Sequence, residues 1–286
     1  MLLLLAAALS GLQPGAVVRL PPGRHPTINI TGQNFSPPVT IDARDAVVAG
    51  VRINNSSGII WRGGTIEAPD GMTGDKQGSH GVRMRDFRDV SFDGVTFTNA
   101  KHGMVTGNGV GFTVRNSTFT GLRSDGIDSV GNSNVLIENN RFVDTRPNPK
   151  IGIRGEPGFI DGDHCDAIQL WISDASPRAD DITIRGNFIE GQTQGINTFG
   201  PRGAGFNRMV VENNIIKITF PAAISVMDCH DCKVRYNTIS SAPGAHHPAN
   251  VRNEGTTGLI CENKMLDRPG HRVAAKCPKD GSYNLK

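Results

Sequence analysis

The sequence is poor in several features that mark common protein classes. Only two of its 286 residues are Trp and two are Tyr, and no long amphipathic helical pattern follows the first dozen residues. No run of Lys and Arg is interleaved with aromatic residues, so we expect no nucleic-acid partner. The glycine-rich stretch "GNGVG" (107–111) opens no helix, so we expect no nucleotide or organic cofactor. Glycine is abundant, with 35 residues between many short Val, Ile and Phe runs, which indicates a β-rich chain.

The N-terminal stretch "MLLLLAAALSGL" is too short to cross a membrane, so we expect no membrane span. It has no charged residues before it and no clear cleavage site after it. We expect residues 1–14 to form a short apolar helix that caps one end of the fold, with a signal-peptide remnant as the alternative. The formal net charge of +3 permits an anionic partner without requiring one, and no pattern indicates an oligomeric state.

The chain has five cysteines, and their spacing argues against a zinc site. Cys229 and Cys232 form a C-x-x-C motif, but a second such pair is missing. Cys261 and Cys277 can form a disulfide bond, and Cys165 is expected to be a buried thiol. We expect the protein to be secreted or periplasmic.

One short motif recurs along the chain, in which two apolar residues flank a turn rich in Asn, Gly and Ser. Its copies are "WRGGTI" (61–66), "FDGVTF" (92–97), "VRNSTF" (114–119), "IENNRF" (137–142), "IRGNFI" (184–189), "VENNII" (211–216), "VRYNTI" (234–239) and "CENKM" (261–265). A second motif, Gly or Ala followed by Val, Ile or Met, runs in phase with it. Its copies are "HGVR" (80–83), "HGMV" (102–105), "DGID" (125–128), "DAIQ" (166–169), "QGIN" (194–197) and "AAIS" (222–225).

Two phased strand motifs in each repeat of about 25 residues indicate one turn of a parallel β-solenoid. Apolar residues at alternate strand positions would fill the bore, and Asn at the turns would bond to its neighbours in a ladder. We therefore predict an all-β, single-domain chain of about nine to ten coils over residues 15–265. Residues 266–286 lie outside the repeat and are expected to form a C-terminal cap or tail.

These asparagine-rich repeats resemble the right-handed parallel β-helix proteins of the pectate-lyase-like superfamily. The resemblance implies that fold and a carbohydrate substrate. It leaves the activity open, because the superfamily includes polysaccharide lyases, polygalacturonase-type hydrolases, alginate epimerases and phage tailspikes.

Residues that share a position in stacked coils form a column, with about 4.8 Å between neighbours. The second motif predicts a polar column on the central coils, with these members: Lys101, His102, Arg123, Asp125, Asp128, His164, Asp166, Gln169, Gln194 and Asn197. Carboxylates this close repel one another unless a cation or a proton relieves them. Two insertions, residues 143–162 and 173–180, flank the stretch "GDHCDAIQLW" (162–171) and are expected to wall a groove there.

The first functional hypothesis is β-elimination on a uronate polysaccharide. The catalytic candidates are Lys101, His102, Arg123, Asp125, His164 and Asp166. The candidates for substrate binding are Arg83, Gln169, Trp171, Gln194 and Asn197, with Trp171 as a platform for a sugar ring. In related lyases acidic residues hold calcium, and by that resemblance Asp125, Asp128 and Asp166 would hold Ca²⁺ here.

Three alternatives stay open. "RSDGID" (123–128) resembles the N-T-D-G-I-D motif of polygalacturonases, which would make Asp125 and Asp166 the acid and base of a hydrolase. In that comparison Arg123 replaces the expected Asn, and Asp163-His164 replaces an Asp-Asp pair. A C5-epimerase would use the same proton abstraction as a lyase. The last alternative is a glycan-binding module without catalysis.

Overall fold

The computed structural model describes residues 11–74, 77–176, 178–203 and 205–267, and also Cys277. These residues form thirty parallel strands and one 3-10 turn, Gln77–Ser79. Each coil contributes one strand to each of three sheets, and the coils stack along one axis. Nine coils have all three strands, and a tenth has two.

The first sheet has eleven strands: β1 (Val17–Arg19), β4 (Asn34–Asp42), β7 (Ser57–Arg62), β10 (Arg88–Asp93), β13 (Val110–Arg115), β16 (Ser133–Glu138), β19 (Arg178–Arg185), β22 (Gly205–Glu212), β25 (Cys229–His230), β26 (Cys232–Arg235) and β29 (Gly258–Cys261).

The second sheet has ten strands: β2 (Gly23–His25), β5 (Ala46–Ala49), β8 (Thr65–Glu67), β11 (Thr96–Phe97), β14 (Thr118–Thr120), β17 (Arg141–Val143), β20 (Phe188–Gly191), β23 (Ile215–Ile218), β27 (Thr238–Ser241) and β30 (Lys264–Met265).

The third sheet has nine strands: β3 (Ile28–Thr31), β6 (Val51–Asn54), β9 (His80–Arg85), β12 (His102–Gly107), β15 (Ile127–Val130), β18 (Asp166–Trp171), β21 (Gln194–Phe199), β24 (Ala222–Met227) and β28 (Asn250–Glu254).

The first repeat motif is therefore a corner between two strands, and a coil has three strands where the sequence predicts two. In "FDGVTF", Phe92 is the next-to-last residue of a strand of the first sheet, and Phe97 is the last residue of a strand of the second. Both rings are fully buried, so the apolar residues of the motif fill the bore from two sides. Phe97, Phe119 and Phe142 stack along the axis with ring centroids 4.4 and 4.5 Å apart.

The turn residues of the same motif form the predicted asparagine ladder. Its members are buried and occupy equivalent corners of successive coils: Asn140, Asn187, Asn214, Asn237 and Asn263. In each step the backbone and side-chain N–H groups of one Asn donate to Oδ1 of the next, at distances of 2.8 to 3.1 Å. Each side-chain amide of the ladder also donates to a backbone carbonyl of the preceding coil, as Nδ2 of Asn214 does to the Ile184 carbonyl. The ladder thereby supplies hydrogen-bond partners for buried backbone and side-chain groups, which the apolar residues of the bore cannot do.

The two ends of the chain are described only in part. The predicted capping helix over residues 1–14 falls mostly on residues 1–10, outside the described part, and residues 11–14 contain no helix. Among the described residues, no helix has the length and apolar character needed to cross a membrane. At the C-terminal end Cys261 and Cys277 form the predicted disulfide bond, and Cys165 is a buried free thiol as expected. Cys229 and Cys232 form a second disulfide bond, which the sequence analysis does not predict.

Two loops next to the third sheet differ in length from the predicted insertions. The longer one, residues 144–165, joins β17 to β18 and contains an antiparallel bridge between Ile151 and Ile160. The shorter one ends before Arg178, because Arg178–Arg185 is a strand. A third loop lies before β9, described over residues 68–74 and the 3-10 turn 77–79, and it was not among the predicted insertions.

Candidate active site

The register of the third sheet aligns the polar residues of successive coils. His80 pairs with His102, and Asp166 pairs with Gln194. Asp125 lies in the coil between these two pairs. Its carbonyl accepts a hydrogen bond from the Gly103 N–H on one side. On the other side the N–H of the next residue, Gly126, donates to the Asp166 carbonyl, and both distances are 3.0 Å. A second column runs beside the first, with these members: Arg52, Arg83, Val105, Asp128, Gln169, Asn197 and Ser225.

Asp125 is the buried centre of this arrangement, with a relative exposure of 3%. Its Oδ1 accepts a hydrogen bond from the Asp166 backbone N–H at 2.8 Å. Its Oδ2 lies 3.1 Å from Nδ1 of His102, a contact that is an ion pair when the ring is protonated but is not aligned as a hydrogen bond. The glycine that follows permits this packing, because a Cβ at Gly126 would lie 2.5 Å from the Ala167 carbonyl oxygen.

Asp166 is as buried as Asp125, and side-chain amides contact both of its oxygens. Nδ2 of Asn197 donates to Oδ1. The Gln169 amide nitrogen donates to Oδ2 at 2.8 Å, in the orientation in which its oxygen accepts from the Trp171 indole N–H. Burial and then the charge of Asp125 raise the pKa of Asp166 to about 7, although the hydrogen bond from Asn197 opposes the rise. Asp166 is therefore a carboxyl group that holds a proton close to neutral pH.

Asp128 is the more accessible carboxyl group of the cluster, and it is half-buried. Its Oδ1 is buried and accepts no hydrogen bond from any residue that the structure describes. Burial and the charge of Asp125 raise its pKa to about 6, while His102 and Gln169 favour its charged form. A proton on Asp128 thus relieves some of the repulsion within the cluster.

Basic side chains lie on the N-terminal side of the acidic cluster. The rings of His80 and His102 meet edge to face, with centroids 5.0 Å apart. Burial, and after it the charges of His102, Arg83, Arg52 and Lys101, lower the pKa of His80 to about 4. Burial and the charge of Arg83 also lower the pKa of Arg52. His80 was not among the predicted site residues, although its place in the column one coil before His102 is visible in the sequence.

Arg123 is buried, and its contacts suit an anchoring role better than proton transfer. Its Nη1 donates to the Met72 carbonyl at 2.7 Å, and its Nε lies 3.1 Å from Oδ2 of Asp163. These contacts tie loop 68–79 and loop 144–165 to the coil that carries Asp125. Neither Met72 nor Asp163 was predicted as a partner of Arg123, because the alignment of strands in successive coils carries no information about where long loops fold back.

His164 lies apart from the cluster, although it is only two residues from Asp166. Its side chain is 71% exposed, and its Nε2 is 3.8 Å from Oδ2 of Asp161 in the same loop. The next residue, Cys165, turns inward and donates its S–H to the Arg123 carbonyl at 3.1 Å. Burial and the charges of Asp125, Asp163 and Asp166 raise the pKa of the Cys165 thiol to about 12, so it is not a nucleophile.

The substrate-binding candidates line the same face with different exposure. Trp171 is 39% exposed and stacks on Phe199 of the next coil, with ring centroids 5.1 Å apart. Gln194 and Arg83 are half-buried, whereas Asn197 is only 1% exposed and contacts Asp166. Phe199 was missed, because an aromatic residue at the end of a strand does not by itself indicate a site.

One group of side chains in the described residues has the spacing of metal ligands: His102, Asp125 and Asp128, with ligand atoms all within 4.8 Å of one another. This group differs from the predicted set of Asp125, Asp128 and Asp166, and both oxygens of Asp166 are engaged by amides. Calcium usually takes six to eight oxygen ligands, and imidazole suits transition metals better. The donor set therefore fits calcium poorly, and calcium binding stays a prediction.

Comparison with known proteins identifies the fold. The family model described as a right-handed beta helix region matches residues 46–159. No curated protein sequence matches the chain significantly. The structure of the Dettilon tailspike protein is similar, with a TM-score of 0.50 and 14% identity over 90% of this chain and 57% of the tailspike. This chain thus spans somewhat more than half of the tailspike's length.

Two further structures are similar at lower scores. The surface adhesin PfbA of Streptococcus pneumoniae has a TM-score of 0.49 and 10% identity over 93% of this chain and 76% of its own. The alginate lyase from Paenibacillus sp. str. FPU-7 has a TM-score of 0.40 and 12% identity over 92% of this chain and 94% of its own. Identities this low bear on the fold and not on the activity. The three parallel sheets, the family-model match over residues 46–159 and the similarity to the tailspike agree that this chain has the fold of a right-handed parallel β-helix.

Proposed function

We propose that this chain is a carbohydrate-active enzyme that cleaves a uronate-containing polysaccharide by β-elimination, in the groove along the third sheet. The observation that carries the proposal is the position of His102. On one side it has the acidic cluster of Asp125 and Asp128, and on the other His80, whose pKa the charges of Arg83 and Lys101 lower. A proton acceptor between a protonatable acid and a binding site for a carboxylate is what this elimination needs.

In the proposed reaction Arg83 and Lys101 bind the carboxylate of the uronate and make its C5 proton more acidic. His102 accepts that proton at Nε2, and Asp125 stabilises the imidazolium ion through its contact with Nδ1. The electrons of the C5–H bond form a double bond between C4 and C5, and the bond from C4 to the glycosidic oxygen breaks. Protonated Asp128 donates its proton to the leaving oxygen, so atoms and charge balance.

The remaining residues bind the sugar or position the acids. Trp171 offers a partly exposed aromatic face that suits the apolar face of a pyranose ring. Gln194 lies on the groove side of the same coil as Phe199 and is placed to contact hydroxyl groups. Asn197 and Gln169 act through Asp166, whose oxygens accept their hydrogen bonds. Arg123 and Asp163 hold the loops that wall the groove.

Hydrolysis is the second candidate, and the pKa of Asp166 favours it. The pKa of Asp166 is raised to about 7. Asp125 lies beside it, and Oδ1 of Asp125 accepts a hydrogen bond from the Asp166 backbone N–H. A pair of carboxyl groups is the usual acid and base of a glycoside hydrolase. Asp166 is only 2% exposed, however, so it would reach a glycosidic oxygen less readily than Asp128.

The deciding experiment incubates the full chain with polygalacturonate, alginate and glucuronan, and follows ultraviolet absorbance and reducing ends in parallel. Absorbance of an unsaturated uronate that rises with reducing ends supports elimination. New reducing ends without that absorbance indicate hydrolysis, and an altered NMR spectrum without cleavage indicates epimerisation. His102→Gln should abolish elimination, and His230→Gln is the matched control, because His230 is exposed on the first sheet. Binding without any chemical change would make the chain a glycan-binding module.

A secreted or periplasmic location is part of the proposal. Two disulfide bonds, Cys229–Cys232 and Cys261–Cys277, support it, because such bonds persist mainly in oxidising compartments. A large polysaccharide is also met outside the cytoplasm. Fractionation of cells that produce the natural full-length protein, with free-thiol labelling of each fraction, tests this location.

A further inference from the structure

A groove of about 880 Å³ lies outside the cluster of Asp125, Asp128 and Asp166, near the C-terminal end of the helix. Its walls come from three successive coils: residues 190–192, 219–221 and 242–247. Each of these segments joins a strand of the second sheet to the next part of the chain at the corner before the third sheet. Arg123 lies at the same corner of an earlier coil, so the groove is on the same side of the helix as the candidate active site.

The groove is also in line with the first polar column. Asp166 pairs with Gln194, which lies two residues after Gln192 in the groove wall. Ala222 begins the strand of the next coil and directly follows Pro221, another wall residue. Two coil spacings of about 4.8 Å put this part of the wall roughly 10 Å along the axis from Asp166. A polymer that lies along the column reaches the groove a short distance beyond the reacting bond.

The walls are held in place by hydrogen bonds between coils. The Thr219 N–H donates to the Gly191 carbonyl at 3.1 Å, and the Ala242 N–H donates to the Ile218 carbonyl at 2.7 Å. Nζ of Lys217 donates to Oε1 of Glu190 at 2.9 Å. The groove is thus a built feature of the helix, and its volume is in the usual range of ligand sites.

The groove's lining combines an apolar surface with hydrogen-bonding groups. Phe220 is 37% exposed, an unusual position for a phenylalanine in a chain whose other rings mostly fill the bore. Gln192, His246 and His247 are exposed around it and offer amide and imidazole groups. The charge of Glu190 is balanced by Lys217, so no excess of positive charge selects a carboxylate here. This contrasts with the basic residues Arg52 and Arg83 at the other end of the column.

We infer that this groove is a distal subsite, which binds a sugar ring of the same polysaccharide through its hydroxyl groups and its apolar face. The inference rests on the proposed function for the identity of the polymer. A pyranose ring stacks on Phe220, and the side chains of Gln192 and His247 bond to its hydroxyl groups. The subsite recognises sugar units beyond the cleaved bond, so it increases affinity for long chains and contributes little to short ones.

The test uses affinity electrophoresis of the full chain in gels that contain polygalacturonate, alginate or glucuronan, in the His102→Gln background so that no polymer is consumed. Phe220→Ala should weaken retardation roughly tenfold in Kd. Tyr236→Asn is the matched control, because it removes an exposed aromatic ring far from the groove, at a left-handed position that Asn tolerates. In the active chain, Phe220→Ala should raise KM for polymer about tenfold and leave turnover of short oligosaccharides unchanged.

The outcomes separate this subsite from the proposed reaction. Retardation that depends on Phe220, in a chain that modifies none of the polymers, supports the subsite and overturns the proposed reaction. Cleavage of a polymer with unchanged retardation of Phe220→Ala overturns the subsite and leaves the reaction standing. Equal weakening by Phe220→Ala and Tyr236→Asn overturns the subsite, and so does a chain that none of the polymers retards.

Discussion

Nδ2 of Asn197 donates a hydrogen bond to Oδ1 of Asp166, and the two side chains come from neighbouring coils 31 residues apart in sequence. Both residues are at most 2% exposed. The hydrogen bond holds the Asp166 carboxyl group in a buried position, where a negative charge is costly. It favours the charged form, but less strongly than burial favours the protonated form. This pair makes the central coils sensitive to pH.

The first prediction concerns stability against pH. The pKa of Asp166 is raised from 3.8 to about 7 on folding, so the folded chain binds this proton more tightly than the unfolded chain. The resulting stabilisation is complete below pH 3.8 and is lost as the pH rises through about 7, by up to roughly 4 kcal/mol. Asp166→Asn removes this titration, and the Gln169 amide can turn to accept from the new amide.

We therefore expect Asp166→Asn to raise the melting temperature relative to wild type at about pH 8, and to change it little at about pH 3.5, where the carboxyl group is largely protonated in both the folded and the unfolded chain. Thermal unfolding followed by circular dichroism at both pH values measures the difference. Asp174→Asn, an exposed substitution in the short loop after β18, is the control. Equal shifts at the two pH values would show that folding does not raise the pKa of Asp166.

The second prediction concerns the pH dependence of activity. If Asp128 is the general acid, the rate should fall as the pH rises through about 6, where this carboxyl group loses its proton. Asp128→Asn should lower kcat by roughly 10² to 10⁴-fold, since a positioned acid contributes that much. A rate–pH profile of wild type and Asp128→Asn on the best polymer measures both effects. A wild-type rate that stays level up to about pH 8 would exclude Asp128 as the acid.

The third prediction concerns metal ions. We expect EDTA to leave the rate unchanged, because two carboxylates and one imidazole offer calcium few of its usual oxygen ligands. Initial rates are measured after dialysis against EDTA and again after addition of Ca²⁺. Loss of activity that Ca²⁺ restores would support the calcium prediction, and Asp125 and Asp128 would then be ligands. Restoration by Zn²⁺ or Mn²⁺ alone would point to His102 as a ligand instead.

The fourth prediction concerns Trp171. Its partly exposed ring stacks on Phe199, and we propose that it packs against a sugar. Trp171→Ala should raise KM by roughly five- to tenfold with little change in kcat, and Trp171→Phe should retain most of the affinity. Steady-state kinetics of the two variants measure this split. If kcat falls instead, Trp171 acts by holding Gln169 against Asp166 and not by binding the sugar.

The fifth prediction concerns the asparagine ladder. Asn214 accepts two hydrogen bonds from Asn187 and donates to Asn237 and to the Ile184 carbonyl, all of them buried. Asn214→Ala leaves these groups without partners, and each buried polar group that loses its partner costs about 1–3 kcal/mol. We expect denaturant unfolding to show a loss of several kcal/mol, or a chain that no longer folds at all. Asn148→Ala, in an exposed loop, should change stability by less than about 0.5 kcal/mol.

The sequence alone determined the stacking of the coils and the alignment of residues between them, although not the third strand of each coil. Apolar residues repeat at each corner, and the Asn that follows must find a buried partner, so stacking the coils is the arrangement that satisfies both. The pairing of His80 with His102 and of Asp166 with Gln194 follows from counting residues within a motif. Counting is sufficient here because the inter-coil bonds leave no freedom of register.

Only the tertiary structure decided how deep each side chain lies and where the loops return. Burial separates Asp166 from Asp128, although both are acidic residues of the polar column that the sequence predicts. Loops 68–79 and 144–165 fold back to surround Arg123, and the Phe220 groove is assembled from three coils. These features depend on contacts between segments with no common period, and a repeat pattern carries no information about such contacts.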